Sequence, residues 1–166
     1  MRLRATVVVA AALLAGCTTS EAGVPSPAEH NESTASSQEP VSLGDLKPCE
    51  LLSSGDRQEI GLVEGLELDA DTCDWSLESS SSGVSLDLYP EAGIDSVPER
   101  GSPVDLGTNY DAYELKAPGG GEGACVIMLD ISENSYLMLT ATSGTDTEAA
   151  CELAAKVAER VDASLS

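Results

Sequence analysis

Residues 124–142 read Ala-Cys-Val-Ile-Met-Leu-Asp-Ile-Ser-Glu-Asn-Ser-Tyr-Leu-Met-Leu-Thr-Ala-Thr. Two apolar, β-prone runs, Ala124 to Ile131 and Ser135 to Thr142, are parted by Glu133-Asn134, which predicts a hairpin. Their near-continuous hydrophobicity predicts central strands covered on both faces. Working backwards, Tyr110 to Lys116 reads as another strand. Cys73, Trp75 and Leu77 alternate with Asp74, Ser76 and Glu78, and Val84, Leu86 and Leu88 alternate with Ser85 and Asp87. Period two with polar partners predicts half-buried strands, here joined through 79–83 as a second hairpin. Glu91 to Leu106, rich in Pro, Gly and Asp, predicts an irregular segment with room for a helical turn. Forwards, Ala150, Leu153, Val157, Val161 and Leu165 recur at helical spacing, and Thr145 and Glu148 stand at capping-box separation, so a C-terminal helix is expected. Before the strands, Pro48 to Leu52 and Gly55 to Leu62 predict short helices, with proline suited to a first helical position. The expected fold class is α+β: an antiparallel sheet of about five strands, with N-terminal short helices and a C-terminal helix packed on it.

The chain holds five cysteines. Cys17 stands apart, and Cys49, Cys73, Cys125 and Cys151 fall in the folded part. An even set in an exported chain predicts two disulfides, of which four cysteines allow three pairings. The pairing expected is Cys49–Cys73, tying the opening helix to the first strand, with Cys125–Cys151, tying the last helix to a central strand. Each bridge is worth roughly 2–4 kcal/mol. Zinc is the competing use of four thiolates, but there is no C-x-x-C pair and no nearby histidine, so no metal and no cofactor are expected.

The N-terminus carries an address. Arg2 and Arg4 precede an apolar run from Ala5 to Ala15, the pattern of a secretory signal and too short for a permanent membrane span. It ends in Leu14-Ala15-Gly16-Cys17, which resembles the lipobox of bacterial lipoproteins. That resemblance implies diacylglycerol on the Cys17 thiol and cleavage before it, leaving residues 1–16 as a signal peptide. Acyl chains at about 0.8 kcal/mol per buried methylene would anchor the protein to the extracytoplasmic face of the cell membrane. From 17 to 44 the chain is Ser, Thr, Pro, Glu and Ala, too poor in large apolar residues to order itself, and is expected to be a disordered tether. Its mean span is roughly 30 Å. Its Ser, Thr and Pro content permits O-glycosylation. Residues 45–166 are expected to form a single globular domain.

Charge narrows the partners. The formal net charge is −21, from 8 basic and 29 acidic residues. Loss of Arg2 and Arg4 with the signal leaves 8 − 2 = 6 basic residues, and 6 − 29 = −23. Such a surface repels nucleic-acid phosphates and anionic lipid head groups, so nucleic acid is not expected as a partner, and membrane contact is expected only through the lipid on Cys17.

Pro48-Cys49-Glu50-Leu51-Leu52, then Cys73-Asp74-Trp75, a cysteine in a late strand and another in the final helix resemble the actinobacterial lipoproteins grouped as domain of unknown function 3558. The resemblance covers about 120 residues and also suits the lipobox and tether. The chain departs from the family pattern at Lys47, where an aspartate is expected, and at Ser53-Ser54-Gly55, which replaces a Thr-Pro helix start. Neither change touches the cysteines. The resemblance implies a cell-envelope location and carries no catalytic residue over.

Few motifs suggest chemistry. The sole histidine, His30, lies in the expected tether, where no scaffold positions a general base. Asp69-Ala70-Asp71-Thr72-Cys73-Asp74 falls short of a calcium loop, with Cys73 at position 5, Asp74 at 6 and Ser80 at 12, and reads better as a solvated acidic turn. Gly119-Gly120-Gly121-Glu122-Gly123 lacks the Lys-Ser/Thr of a phosphate loop and reads as a pliable connection or the rim of a surface. Tyr110, Tyr113 and Tyr136 could line that surface, though half-buried strand tyrosines are the simpler account. Trp75 reads as core beside a Cys49–Cys73 bridge. The expected function is therefore non-enzymatic: an envelope lipoprotein that binds a protein partner. The alternative is a carrier or sensor holding a small apolar molecule or lipid between the sheet and the C-terminal helix, which a large apolar cavity there would support.

Overall fold

The computed structural model describes residues 41–78 and 81–166. The expected signal peptide, Cys17, His30 and most of the expected tether lie outside the described residues.

Seven strands form one antiparallel sheet: β1 (Leu66–Glu67), β2 (Thr72–Ser76), β3 (Gly83–Tyr89), β4 (Ser102–Val104), β5 (Asp111–Lys116), β6 (Ala124–Ser132) and β7 (Ser135–Thr142). Their spatial order is β1-β2-β3-β7-β6-β5-β4. Both expected hairpins are present, β2–β3 with Trp75 opposite Val84 and β6–β7 with Met128 opposite Met138. The hairpin 124–142 lies near the middle of the sheet. Two edge strands, β1 and β4, exceed the expected five. Both are too short for an apolar alternation to register, and Pro103, which cannot donate to a ladder, masks β4 as a strand in the sequence.

Strand alternation gives the sheet two different faces. On the inner face Cys73, Trp75, Leu86, Ile127, Leu129, Leu137 and Leu139 are buried. They meet the apolar stripe of the C-terminal helix α2 (Thr147–Ser164), where Ala150, Leu153, Val157 and Val161 are buried as the helical spacing requires. Strand β2 is instead roofed by the N-terminal turns. A 3-10 turn at Pro48–Glu50 and the helix α1 (Ser54–Ile60) deliver Leu51 and Leu52 to the same core. Leu43, within the expected tether, is also in this core at 1 % exposure, so the ordered domain starts ahead of residue 45. Val41 and Leu46 pack against the same core, but three apolar residues spread over 41–46 form no run and no period that marks a boundary in the sequence.

The outer face is covered over one half only. Residues 90–101 cross from β3 to β4, make a 3-10 turn at Ile94–Ser96, and place Ile94 on Val126, Met128 and Tyr136. This is what buries both faces of the central hairpin.

Helix starts show local chemistry at work. Ser53 caps α1 by accepting from the Asp56 amide, and the Asp56 carboxylate accepts from the Ser53 amide. For α2 the expected cap, Thr145, is displaced by Asp146, whose carboxylate accepts from Ala149 N at 3.0 Å. A turn closed by Asp146 N donating to Ser143 O keeps Thr145 out of the capping position. At the other end of α2 the Asp162 carboxylate, 4 % exposed, accepts from Asn109 N at 2.9 Å, Asn109 Nδ2 at 2.7 Å and Tyr110 N at 3.2 Å. It pins the chain entering β5 to the helix.

Candidate functional site

The four domain cysteines pair as Cys49–Cys73 and Cys125–Cys151, with Cα atoms 5.1 and 5.0 Å apart. The first bridge joins the Pro48–Glu50 turn to β2, and the second joins β6 to α2. One group of potential metal-ligating atoms occurs among the described residues, Glu114 with Cys125 and Cys151. Both of its sulfurs are committed to the disulfide and are not thiolates.

Trp75 is core, 2 % exposed, and its indole N–H is buried without a hydrogen-bond partner. Gly65 makes that packing feasible: a Cβ there would stand 2.5 Å from Trp75 Nε1 and 2.7 Å from Cys73 Sγ. The chain just before β1 can therefore lie flat on the ring and the bridge.

The acidic turn 69–74 closes on itself, with Asp69 Oδ1 accepting from Asp71 N at 2.9 Å. It borders a surface hollow of about 550 Å³ with Asp87, Tyr89 and Glu91. Partial burial raises the Asp87 pKa above the ordinary carboxylate range. A hydrogen bond from Thr72 Oγ1 opposes the shift, and Asp74 and Asp69 add to it. Asp130 is raised chiefly by partial burial, with Asp111 and Asp95 adding and Arg100 opposing. It lines a different hollow, of about 440 Å³, with Asp95 and Glu133. The two perturbed carboxyls thus face separate spaces and do not converge as an acid and a base would.

The three tyrosines do not form one surface, and Tyr110 lies just ahead of β5 rather than in it. Tyr110 packs against the helix-side core, while Tyr113 and Tyr136 belong to the outer cluster. There Tyr136 stacks on Tyr89 with ring centroids 4.4 Å apart, and the Arg100 guanidinium sits 5.1 Å above the Tyr113 ring. The glycine loop makes a 3-10 turn at Pro118–Gly120, and Gly123, at φ +77°, lies so close to Gly144 that a Cβ would collide with the Gly144 carbonyl. That loop is a packing joint between β6 and the approach to α2.

The alternative reading, a carrier or sensor of a small apolar molecule, calls for space between sheet and α2. Surface hollows of about 330, 440, 310 and 550 Å³ are lined by β2, β3 and β7, by 94–95 with 130–133, by α1 with 61–64, and by the turn 69–72 with 87–92. The feature missed by sequence reasoning lies instead at the sheet edge. Val63, Leu66 and Leu68 are exposed, at 39, 63 and 55 %. Their signal was the alternation Leu66-Glu67-Leu68, too short to stand out.

The fold and its cross-links define a class: a disulfide-braced α+β domain with one antiparallel sheet, roofed by a C-terminal helix. The family described as a protein of unknown function (DUF3558) matches residues 12–164, and the chain belongs to it. The matched stretch includes Cys17 and all four paired cysteines. No curated protein and no solved structure matches the chain.

Proposed function

We propose that the protein is a lipoprotein held by Cys17 on the extracytoplasmic face of the cell membrane, where its domain acts as a non-enzymatic protein-interaction module. The observation that carries the reading is Leu14-Ala15-Gly16-Cys17 at the end of a short basic and apolar leader. Two disulfides fit an oxidising compartment. Among the described residues no helix is long and apolar enough to cross a membrane, so the anchor in this reading is the lipid.

The test is metabolic labelling with a radioactive fatty acid in cells of the native source, comparing the wild-type chain with Cys17→Ala. Label on the wild type alone, with the variant lost from the membrane fraction, supports the anchor. Equal membrane retention of an unlabelled Cys17→Ala chain refutes it.

A further inference from the structure

We infer that β1 is a docking edge, which takes up an extended, basic and apolar segment of a protein partner as an eighth strand. The inference rests on the interaction-module reading above and names where and by what chemistry the partner binds.

An open sheet has two edges, and unpaired backbone at an edge templates further pairing unless something blocks it. Here the edges differ. β4 has Pro103 at its centre, opposite Tyr113, and proline offers no amide to an incoming strand. β1 and its approach, 61–68, contain no proline, lysine or arginine. This edge, short and acidic but free of proline and of basic residues, also carries Val63, Leu66 and Leu68, the exposed large hydrophobic residues among those described.

Pairing geometry makes the edge usable. Leu66 lies opposite Asp74 and Glu67 opposite Cys73. Leu68 N donates to Thr72 O at 3.1 Å, so Leu68 turns its backbone inward. Antiparallel ladders alternate, so Leu66 also pairs inward, while the N–H and C=O of Glu67 point away from β2. Leu66 and Leu68 share one side of the strand, beside Asp74 and Thr72. The approach to the edge is packed on the core, because Gly65 rests on Trp75 and on the sulfur of Cys73. A preformed edge avoids the ordering cost that weakens binding by loose segments.

Charge selects the occupant. Glu64, Glu67, Asp69, Asp71 and Asp74 crowd this edge without a basic residue between them. A second copy would set these carboxylates against their own images, on a chain of net charge −21. Lysine or arginine alternating with apolar residues satisfies both the carboxylates and the two leucines.

The experiment places a photo-crosslinking residue at Leu68, or at Ser102 on the opposite edge, in the full chain expressed in cells of its source. The expected result is a protein adduct from position 68, at least about tenfold stronger than from 102, whose cross-linked peptide carries Lys or Arg. Glu67→Pro, which removes an outward amide, should cut the adduct roughly tenfold, the loss of about one hydrogen bond's net worth. Leu66→Lys should do the same by charge, and its exposed position leaves folding intact. Equal adducts from both edges, indifference to both variants, an acidic peptide, or an adduct between two copies would each overturn the inference. Absence of adduct at 68 with adduct from a cross-linker at Lys156 on α2 overturns the edge and spares the interaction reading. Absence at every position overturns both.

Discussion

Replacing Asp162 by alanine should destabilise the domain by about 4 kcal/mol. The carboxylate is 4 % exposed and receives two backbone amides, Asn109 N and Tyr110 N, together with Asn109 Nδ2. Hydrogen bonds to a charged acceptor are worth roughly 1.5–3 kcal/mol each, and stranded buried donors add their desolvation. Partial access of water at 109–110 lowers the total from the upper sum to about 3–5 kcal/mol. A domain of roughly 120 residues loses about 4 °C in Tm per kcal/mol, so the expected drop is about 15 °C. Asn109→Ala is the informative companion. It removes only the side-chain bonds to Asp162 and Ser166 and leaves both backbone amides served, so about 1 kcal/mol is expected. Asp162→Asn keeps one carbonyl acceptor and should fall between them. Urea titration followed by fluorescence suits the comparison, since Trp75 is the sole tryptophan and is 2 % exposed when folded. If the two alanine variants unfold at the same urea concentration, the backbone clamp is not what the Asp162 carboxylate supplies, and the reasoning fails.

Three further outcomes are expected. Gly123→Ala must abandon φ +77° or strike the Gly144 carbonyl, so a loss of at least about 2 kcal/mol is expected in thermal melts, whereas Gly107→Ala, with open space around it, should show only the smaller cost of its positive φ. Reducing and alkylating Cys125–Cys151, which spans 26 residues, should cost about 3.5 kcal/mol by chain entropy, read as a lower denaturation midpoint than that of the oxidised protein. The Asp87 carboxyl titrates above its ordinary range, so the folded state holds this proton more tightly than the unfolded chain. Its contribution is fully present below the unfolded pKa near 4 and is lost as pH rises through the raised folded value. Asp87→Asn, which keeps an acceptor for Thr72, should therefore gain on the wild type at pH 7 and lose that gain below about pH 4; a pH-independent difference would contradict the assignment.

Legibility in the sequence followed the strength of periodic signals. The hairpin 124–142, the alternation at Cys73, Trp75 and Leu77, and the α2 stripe from Ala150 to Leu165 each repeat an apolar position several times, and all were readable. The disulfide pairing matches the expected Cys49–Cys73 and Cys125–Cys151, although joining a helical element to a strand excludes only one of the other two pairings. Features set by a single residue escaped. Leu43 is buried ahead of any apolar run, Asp146 rather than Thr145 caps α2, and β1 and β4 offer two or three residues each. Asp162 was invisible as a clamp because its partners lie 52 and 53 residues away, in a loop. The exposed edge is of the same kind: Leu66 and Leu68 look like core until the topology leaves them at the rim.

The cross-links sit side by side along the chain, one closing 49–73 and the other 125–151, neither nested nor interlaced. In a chain threaded through an export channel with its N-terminus leading, Cys49 and Cys73 emerge long before Cys125. With the Cys17 thiol taken up by lipid, as proposed above, an oxidase that joins the remaining cysteines in their order of appearance makes the native pairs, whereas interlaced bridges would require waiting or reshuffling, which is slow without an isomerase. On the proposed export route, maturation of this fold would need only an oxidant at the exit, and the first bridge could close while the hairpin 124–142 was still being delivered.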